Sequence, residues 1–547
     1  MINIPKSTFY VALAGITLAS CKTLNNITIP AGTNTVIDIS EKKTELTDFE
    51  KDNWHHLDLA NDTIPGMSVN KAYALLKDKK GVEVIVGVID TGTDLKHEDL
   101  KDVAWFNTDE IADNGIDDDK NGYVDDIHGW NFLGETYDEH LEYERILMNP
   151  SITDQETYDE AKAYLDEKIG KATDTKMRYQ NFLSGVLFSD NALKLHLKKE
   201  EYTFDEVREI ITVDPELSQA VNFALNFVEA NGMTMAGMKE ELEKEIEKSD
   251  KTINGENLKT DYRTTGDNAY DINDKPGYGD GNIQPSEKDE AHGSHVSGII
   301  GATRDNKIGM NGVANNVKIM AIRSVSNGDE YDKDVALGIR YAVDNGAKVI
   351  NTSFGKGFSP NKEWVYDAIK YAAKKDVLIV NAAGNDGADI DVEKTFPNDA
   401  PDFVNEVANN FLTVGAMSYN YNKDLLATFS NYGQKNVDVF APGVQIHATT
   451  PEGEYKKFSG TSMASPATAG VAALIRSYYP QLTANQVKQI IMNTGTQINF
   501  QVLKPGSQTD TNRYGDLVDF STLSVSGRIV NAYNALKMAE QVTSTSK

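Results

Sequence analysis

The chain has 547 residues, 40% of them hydrophobic, which is enough for a sizeable core and too long for one ordinary domain without insertions. Its 83 acidic and 54 basic side chains leave a net charge of −29, which repels phosphate backbones and argues against nucleic acid as a partner. One cysteine excludes an intrachain disulfide, and the surplus of carboxylates suits a hard cation such as Ca²⁺.

At the N-terminus, Lys6 precedes an apolar run from Phe9 to Leu18, too short to span a bilayer and of signal-peptide length. The run closes on Leu18-Ala19-Ser20-Cys21, which resembles the lipobox of bacterial lipoproteins. That resemblance implies cleavage before Cys21 and lipidation of its thiol. The product is an exported protein held by acyl chains in a membrane of the bacterial cell envelope, facing periplasm or exterior. Residues 1–20 are then a signal peptide, and 21–50, polar and without sustained periodicity, a tether.

A β-branched run from Gly81 to Asp90 reads as a buried strand ended by Thr91-Gly92. Further on, Asp117, Asp119 and Asn121 stand at positions one, three and five of a calcium-loop pattern, with Gly122 at the turn, Tyr123 at seven and Asp125 at nine. Position twelve is His128, not glutamate, so Asp126 or another carboxylate has to complete the set; otherwise the segment is a solvated acidic turn. Aspartates within 267–280 form a weaker second candidate.

Residues 137–262 turn to Glu, Lys, Ala and Leu and read as a helical insertion. Thr203-Phe204-Asp205-Glu206 is a capping-box pattern, Asp214-Pro215 an N-cap before a first-turn proline, and the apolar stretch 221–228 needs burial, which disorder would not give it. Downstream, strands are predicted over 317–321, 347–353, 377–382, 411–416 and 437–440, with helices over 334–345 and 361–374. This alternation predicts an α/β fold, a mostly parallel sheet with helices on both faces. Sites in such sheets form at C-terminal strand ends, where Asp90 and Asn385 fall. Two helices close the chain, one capped by Thr483 and Gln486 and stopped at Gly495, the other over 528–539, before a polar tail at 541–547.

Three segments carry the chemistry: Val88-Ile89-Asp90-Thr91-Gly92, His292-Gly293-Ser294-His295-Val296-Ser297-Gly298 and Gly460-Thr461-Ser462-Met463-Ala464-Ser465-Pro466. A serine hydroxyl is a poor nucleophile near neutrality and needs a base, for which imidazole is suited. The imidazole needs a carboxylate to fix its tautomer and stabilise its charged form. The tetrahedral intermediate needs preorganised donors for its oxyanion. Ser462 is the candidate nucleophile, at the start of a helix expected to run to about Tyr479, whose first-turn N–H groups face the developing charge. His292 is the candidate base and Asp90 its carboxylate. His295 lacks the spacing and glutamate of a zinc pair and reads as structural. His55-His56 read as packing or surface, and His97 as a turn residue.

In the order Asp, His, Ser, these segments resemble the signature motifs of the subtilisin-like serine proteases, the subtilases. The nucleophile motif matches fully; the histidine motif has Ser294 and Ser297 where the family usually has Thr and Ala. The resemblance covers residues 51–136 and 263–540. It implies a subtilisin-like fold and hydrolysis of protein or peptide substrates through an acyl-enzyme, with no organic cofactor; the Ca²⁺ expected at the 117–125 loop is then a structural ion. It further implies that Asn385 and the Ser462 N–H hold the oxyanion and that Ser353-Phe354-Gly355 lines one side of the substrate cleft. Ala382-Ala383-Gly384 would wall a specificity pocket roomy enough for a bulky side chain. Roughly thirty residues between Cys21 and this core are too few for a folded inhibitory propeptide. The insertion can gate the cleft, bind a partner or shield against self-digestion. Competing readings are a binding lipoprotein on a decayed protease fold and a calcium-dependent module; neither explains a complete set of Asp90, His292, Asn385 and Ser462.

Overall fold

A computed structural model of the protein describes residues 39–255, 258, 262–285, 290–509 and 511–544. Cys21 and the signal segment lie outside the described residues. Three short helices lead in: α1 (Asp48–Asn53), α2 (Leu59–Asp62) and α3 (Val69–Leu76). Thr47 and Glu50 cap α1 reciprocally. Ile39 and Leu46 already pack on the core, so the stretch read as a tether is docked before residue 50.

The central sheet begins with β1 (Val84–Asp90) and adds β2 (Gly129–Asn131), β3 (Val317–Arg323), β4 (Val349–Thr352), β5 (Leu378–Ala382), β6 (Phe411–Met417) and β7 (Val439–Pro442). A hairpin, β8 (Ile446–Thr450) and β9 (Glu454–Phe458), follows outside the sheet. The last sheet strands are β10 (Thr496–Gln497) and, after the small hairpin β11 (Gln501–Leu503) and β12 (Leu517–Asp519), β13 (Arg528–Ile529). The order is β10-β13-β7-β6-β5-β4-β1-β3-β2, parallel except between β10 and β13. Side chains alternate between two apolar layers. Val84, Val86, Val88, Val317 and Ile319 face one layer, and Ile89, Met320 and Ile322 the other. Strands buried on both faces need apolar residues at nearly every position, as these have.

From β1 the chain returns to the sheet on one side as β2 and β3, then on the other as β4. This reversal opens a crevice at the C-terminal ends of β1 and β4. Asp90 is the last residue of β1, and Ser353 follows β4 directly.

Between β2 and the histidine motif, residues 142–254 are mainly helical: α4 (Glu142–Met148), α5 (Gln155–Leu197), α6 (Phe204–Arg208), α7 (Pro215–Phe223) and α8 (Met235–Asn254). The Thr203–Glu206 box and the Asp214 cap both form. α5 is roughly 65 Å long. Its distal part packs with α7 and α8 around Val186, Leu193, Ala220, Val228 and Leu242, a core separate from that of the sheet. α4, which precedes α5, joins the sheet-bearing part through a buried ion cluster. Lys356 Nζ lies 2.6 Å from Glu142 Oε2 and 2.9 Å from Asp332 Oδ1, and Arg145 Nη2 lies 2.6 Å from Glu142 Oε2.

α9 (His292–Gly301) and α12 (Thr461–Tyr478) pack together on one face of the sheet. α10 (Asp332–Asp344) and α11 (Lys362–Lys374) cover the other. α13 (Ala484–Thr494) starts at the Thr483 capping box. α14 (Ala532–Ser544) begins later than the expected residue 528 because Arg528 and Ile529 extend the sheet as β13. Among the described residues no helix is long and apolar enough to cross a membrane.

Candidate active site

β1 delivers Asp90 to the crevice, buried to 1% exposure. Its Oδ1 accepts the Thr91 N–H at 2.7 Å and lies 2.8 Å from His292 Nδ1. With Nδ1 as donor, a neutral His292 carries its lone pair on Nε2, the arrangement a general base needs. Gly293 follows for a steric reason: a Cβ there would stand 2.1 Å from the Gly92 carbonyl oxygen and 3.2 Å from Asp90 Cβ. Burial disfavours the charged imidazole, but the charge and hydrogen bond of Asp90 outweigh it and raise the His292 pKa above the ordinary histidine value.

Ser462 sits in the first turn of α12. Its Oγ donates to the Ser353 carbonyl at 3.1 Å, while Ser353 Oγ donates to the Ser462 carbonyl at 3.0 Å. Asn351 Nδ2 donates to Ser353 Oγ at 2.9 Å, and Ser465 Oγ donates to Asn351 Oδ1 at 2.8 Å. These bonds fix the start of α12 against the end of β4. The hydroxyl is thus turned to the Ser353 carbonyl; rotation about its Cα–Cβ bond changes its partner, and the contact of nucleophile with base often closes only around substrate.

Asn385 lies just past β5. Its Oδ1 accepts from Thr461 N at 2.9 Å and Thr461 Oγ1 at 3.0 Å, which orients the amide nitrogen the other way. A Cβ at Gly460 would sit 3.6 Å from Ser462 N and 3.7 Å from Asn385 Nδ2. The glycine therefore keeps clear a spot flanked by both donors, where an oxyanion can be held. Asn431 holds this loop: its Oδ1 accepts from Asp386 N and Ala388 N at 3.0 and 2.9 Å, and its Nδ2 donates to the Ala383 carbonyl at 3.0 Å. Sequence reasoning missed Asn351 and Asn431, which stand in no recognisable motif. Thr461 was visible inside the Gly-Thr-Ser segment, but its bond to Asn385 was not.

A cavity of about 380 Å³ opens beside Ser462, lined by Ser353, Phe354, Gly355, Ala382, Gly384 and Asn385. Ala383 does not line it. That residue is buried, follows the alternation of β5 to the opposite side, and borders a smaller neighbouring cavity. The insertion contributes Leu141, Tyr143 and Tyr164 to the main cavity.

The acidic loop converges differently from the expected calcium pattern. Asp117 accepts the N–H groups of Asn121 and Gly122, and Asp125 accepts those of Asn114 and Gly115. Asn121 donates its side-chain amide to Asp119 and Asp126, and the Tyr123 ring packs edge-on against Trp130 and Tyr341. Asp119 instead meets Glu110 and Asp126, with ligand oxygens within 4.8 Å of one another. Asp126 is fully buried, and burial pushes its pKa up to about 6 against hydrogen bonds from Tyr341, Asn121 and Asn107. In the second acidic stretch, Asp267 is paired with Arg263 and Lys333 and is not free for a cation. His295 is buried, its Nε2 3.0 Å from the carbonyls of Ile446 and Lys456.

A model described as the subtilase family matches residues 81–516, a span that takes in Asp90, His292, Asn385 and Ser462. This chain belongs to the subtilase family. It is 38% identical over 232 residues to the cell wall-associated protease of Bacillus subtilis (strain 168), covering 42% of this chain and 24% of that protein. It is 40% identical over 210 residues to the thermophilic serine proteinase of Bacillus sp. (strain AK1), covering 38% and 47%. Subtilisin DY of Bacillus licheniformis is 38% identical over 210 residues, covering 38% and 71%. The match thus spans less than half the length of the first two relatives. As a subtilase, the chain carries the apparatus of a serine-type endopeptidase, on a mostly parallel sheet flanked by helices.

Proposed function

We propose that this subtilase is an exported, lipid-anchored endopeptidase that hydrolyses protein or peptide substrates through an acyl-enzyme on Ser462. The reading rests above all on the 2.8 Å Asp90–His292 pair, set in the crevice that also holds Ser462 and two free-facing donors. His292 Nε2 takes the Ser462 proton as Oγ bonds to the scissile carbonyl carbon, and the carbonyl electron pair moves onto oxygen. The Ser462 N–H and the Asn385 amide hold that oxyanion. Collapse of the intermediate expels the amine, which takes the proton from His292. Water then repeats the sequence on the acyl-enzyme and releases the acid. Asp90 keeps the tautomer and stabilises the imidazolium. The peptide backbone adds as a strand along residues 353–355.

Glu110, Asp119 and Asp126 would hold a structural Ca²⁺. They offer hard oxygens, and around Asp126 stand neutral donors and the like charge of Asp119. Cys21 is the proposed anchor point; its replacement by serine is expected to move the protein from the membrane to the soluble fraction.

Fluorophosphonate labelling of the purified protein tests the reading. Wild type is expected to label, and Ser462→Ala to lose labelling and peptide hydrolysis together. Absence of labelling in wild type, with and without calcium, would mean a decayed site. Asn385→Ala is expected to lower kcat by about 10²–10³ with little change in KM, because its contact forms only in the transition state. That magnitude is the one known for the oxyanion asparagine of subtilisin, a member of the same family. An unchanged kcat would remove Asn385 from the oxyanion site.

A further inference from the structure

Arg323 closes β3 beside the last residue of β1, since the two strands pair Asp90 with Arg323. The side chain is buried and passes over Gly92, where a Cβ would come within 3.3 Å of its Cδ. Its guanidinium then holds three pieces of chain. Nε donates to the Thr91 carbonyl at 3.0 Å, directly after Asp90. Nε and Nη2 donate to Glu290 Oε1 at 3.1 and 2.9 Å, two residues before His292. Nη1 donates to Asn131 Oδ1 at 3.2 Å and to the Gly134 carbonyl at 3.1 Å, and Nη2 to the Thr136 carbonyl at 2.9 Å. Thr136 is where the insertion closes on itself: its Oγ1 donates to the Tyr262 carbonyl at 3.2 Å and accepts the Thr264 N–H at 3.2 Å. The planar fork of arginine can reach all three pieces at once; the point charge of lysine cannot. Glu290 is as deeply buried as Arg323. A buried ion pair of this kind adds little net stability over an apolar pair of similar volume, so stability alone does not account for it.

We propose that Arg323 is a positioning residue of this protease: through Thr91 and Glu290 it holds the Asp90 turn and the approach to His292 at the separation that proton transfer requires. The inference rests on the endopeptidase reading above. Asp90 comes from the sheet and His292 from the start of α9, two elements far apart in sequence, and they meet at 2.8 Å. Arg323 acts on both through their neighbours and touches neither. The same guanidinium ties the base of the insertion to the catalytic pair.

The test uses full-length protein in calcium and a quenched peptide substrate. Arg323→Met alone would leave Glu290 buried without its cation, so the variant is Arg323→Met with Glu290→Met, which removes both charges together. Fluorophosphonate labelling carried to completion counts the active sites, and kcat is expressed per labelled site. In the double variant that kcat is expected to fall roughly ten- to hundred-fold, the scale of a small misplacement of a catalytic group. KM should change little, because residues 353–355 are untouched. The acid limb of kcat/KM is expected to move to lower pH, since His292 owes its raised pKa to Asp90 and loses part of it as the pair loosens. A purely structural role would lower the number of labelled sites and leave both readings where they were. Arg323→Lys, which keeps the charge and gives up the fork, is expected to shift both readings the same way. Wild-type kcat per site or an unmoved acid limb in the double variant, or in Arg323→Lys should the double variant yield no labelled protein, overturns the inference while wild type labels and cleaves. If wild type does neither, the endopeptidase reading fails first and this inference with it.

Discussion

In the protease body, β4 to β7 are buried along their whole length, and every residue of α12 is buried apart from Ser462 and Tyr478. In the insertion, α5 runs for 43 residues and buries only Ala161, Val186, Ser189 and Leu193. Its surface is laced with pairs one turn apart, such as Lys171–Glu167 and Lys194–Asp190, and α8 carries Lys244–Glu240 and Lys251–Glu247. Exposed pairs of this kind contribute little each. The body fixes its geometry by close packing on both faces of a sheet, which is what an active site needs. The insertion is helical by local preference and one small core. The buried cluster of Glu142, Arg145, Lys356 and Asp332 draws its members from both parts.

That cluster is where the comparison breaks most easily. Lys356→Met leaves Asp332 and Glu142 buried without this cation, which is expected to cost about 3–5 kcal/mol of stability in denaturant unfolding. The loss should be accompanied by faster proteolysis near α4. A variant as stable as wild type would mean that the cluster does not join the two parts.

Leu193→Ala sharpens the comparison from the other side. The side chain is fully buried in the distal core of the insertion, and its truncation is expected to cost about 2–5 kcal/mol there. Hydrogen exchange should quicken in α7 and α8 while the sheet stays protected and Ser462 labelling persists. Equal loosening of β4 to β7 would show that the two cores unfold as one.

The sequence made most of the body legible for the same physical reason that makes it rigid. Strands buried on both faces leave unbroken β-branched runs, so β1 and β3 to β7 could be placed close to their true ends. Gly293, forced by close approach to the Gly92 carbonyl, marks the histidine segment. Short edge elements left no such trace: β2 has three residues and β13 two, and Arg528 was read into a helix. The convergence of Glu110 with Asp119 and Asp126 depends on a loop folding back, which spacing within 117–125 does not reveal. The ring contacts of Tyr164 with Tyr143 and Phe358 are illegible for the same reason, since the three meet only through the tertiary fold.

The smallest effect expected concerns acid, and it belongs to the body alone. His55, His56 and His295 are all buried, and neither ring nitrogen of His55 has a hydrogen-bond partner among the described residues. Burial, and then the positive charges of His447, Arg304 and His295, push the His55 pKa down to about 3; burial likewise holds His295 down to about 3 and His56 well below its ordinary value. Between pH 6.5 and about 3 the unfolded chain therefore binds protons that the folded chain refuses. Stability is at its full value above pH 6.5 and falls as pH drops through that window, by about 1.4 kcal/mol per pH unit for each such histidine. His292 has the opposite sign: its raised pKa contributes stability in acid that is lost as pH rises through the folded value. His55→Phe removes one refused proton and no hydrogen bond. Its stability loss between pH 7.5 and pH 5.5 is expected to be about 1.4 kcal/mol smaller than that of wild type, measured by urea unfolding. An equal loss in the two proteins would mean that the His55 site opens to accept the proton, and that this part of the body is less tightly packed than its burial implies.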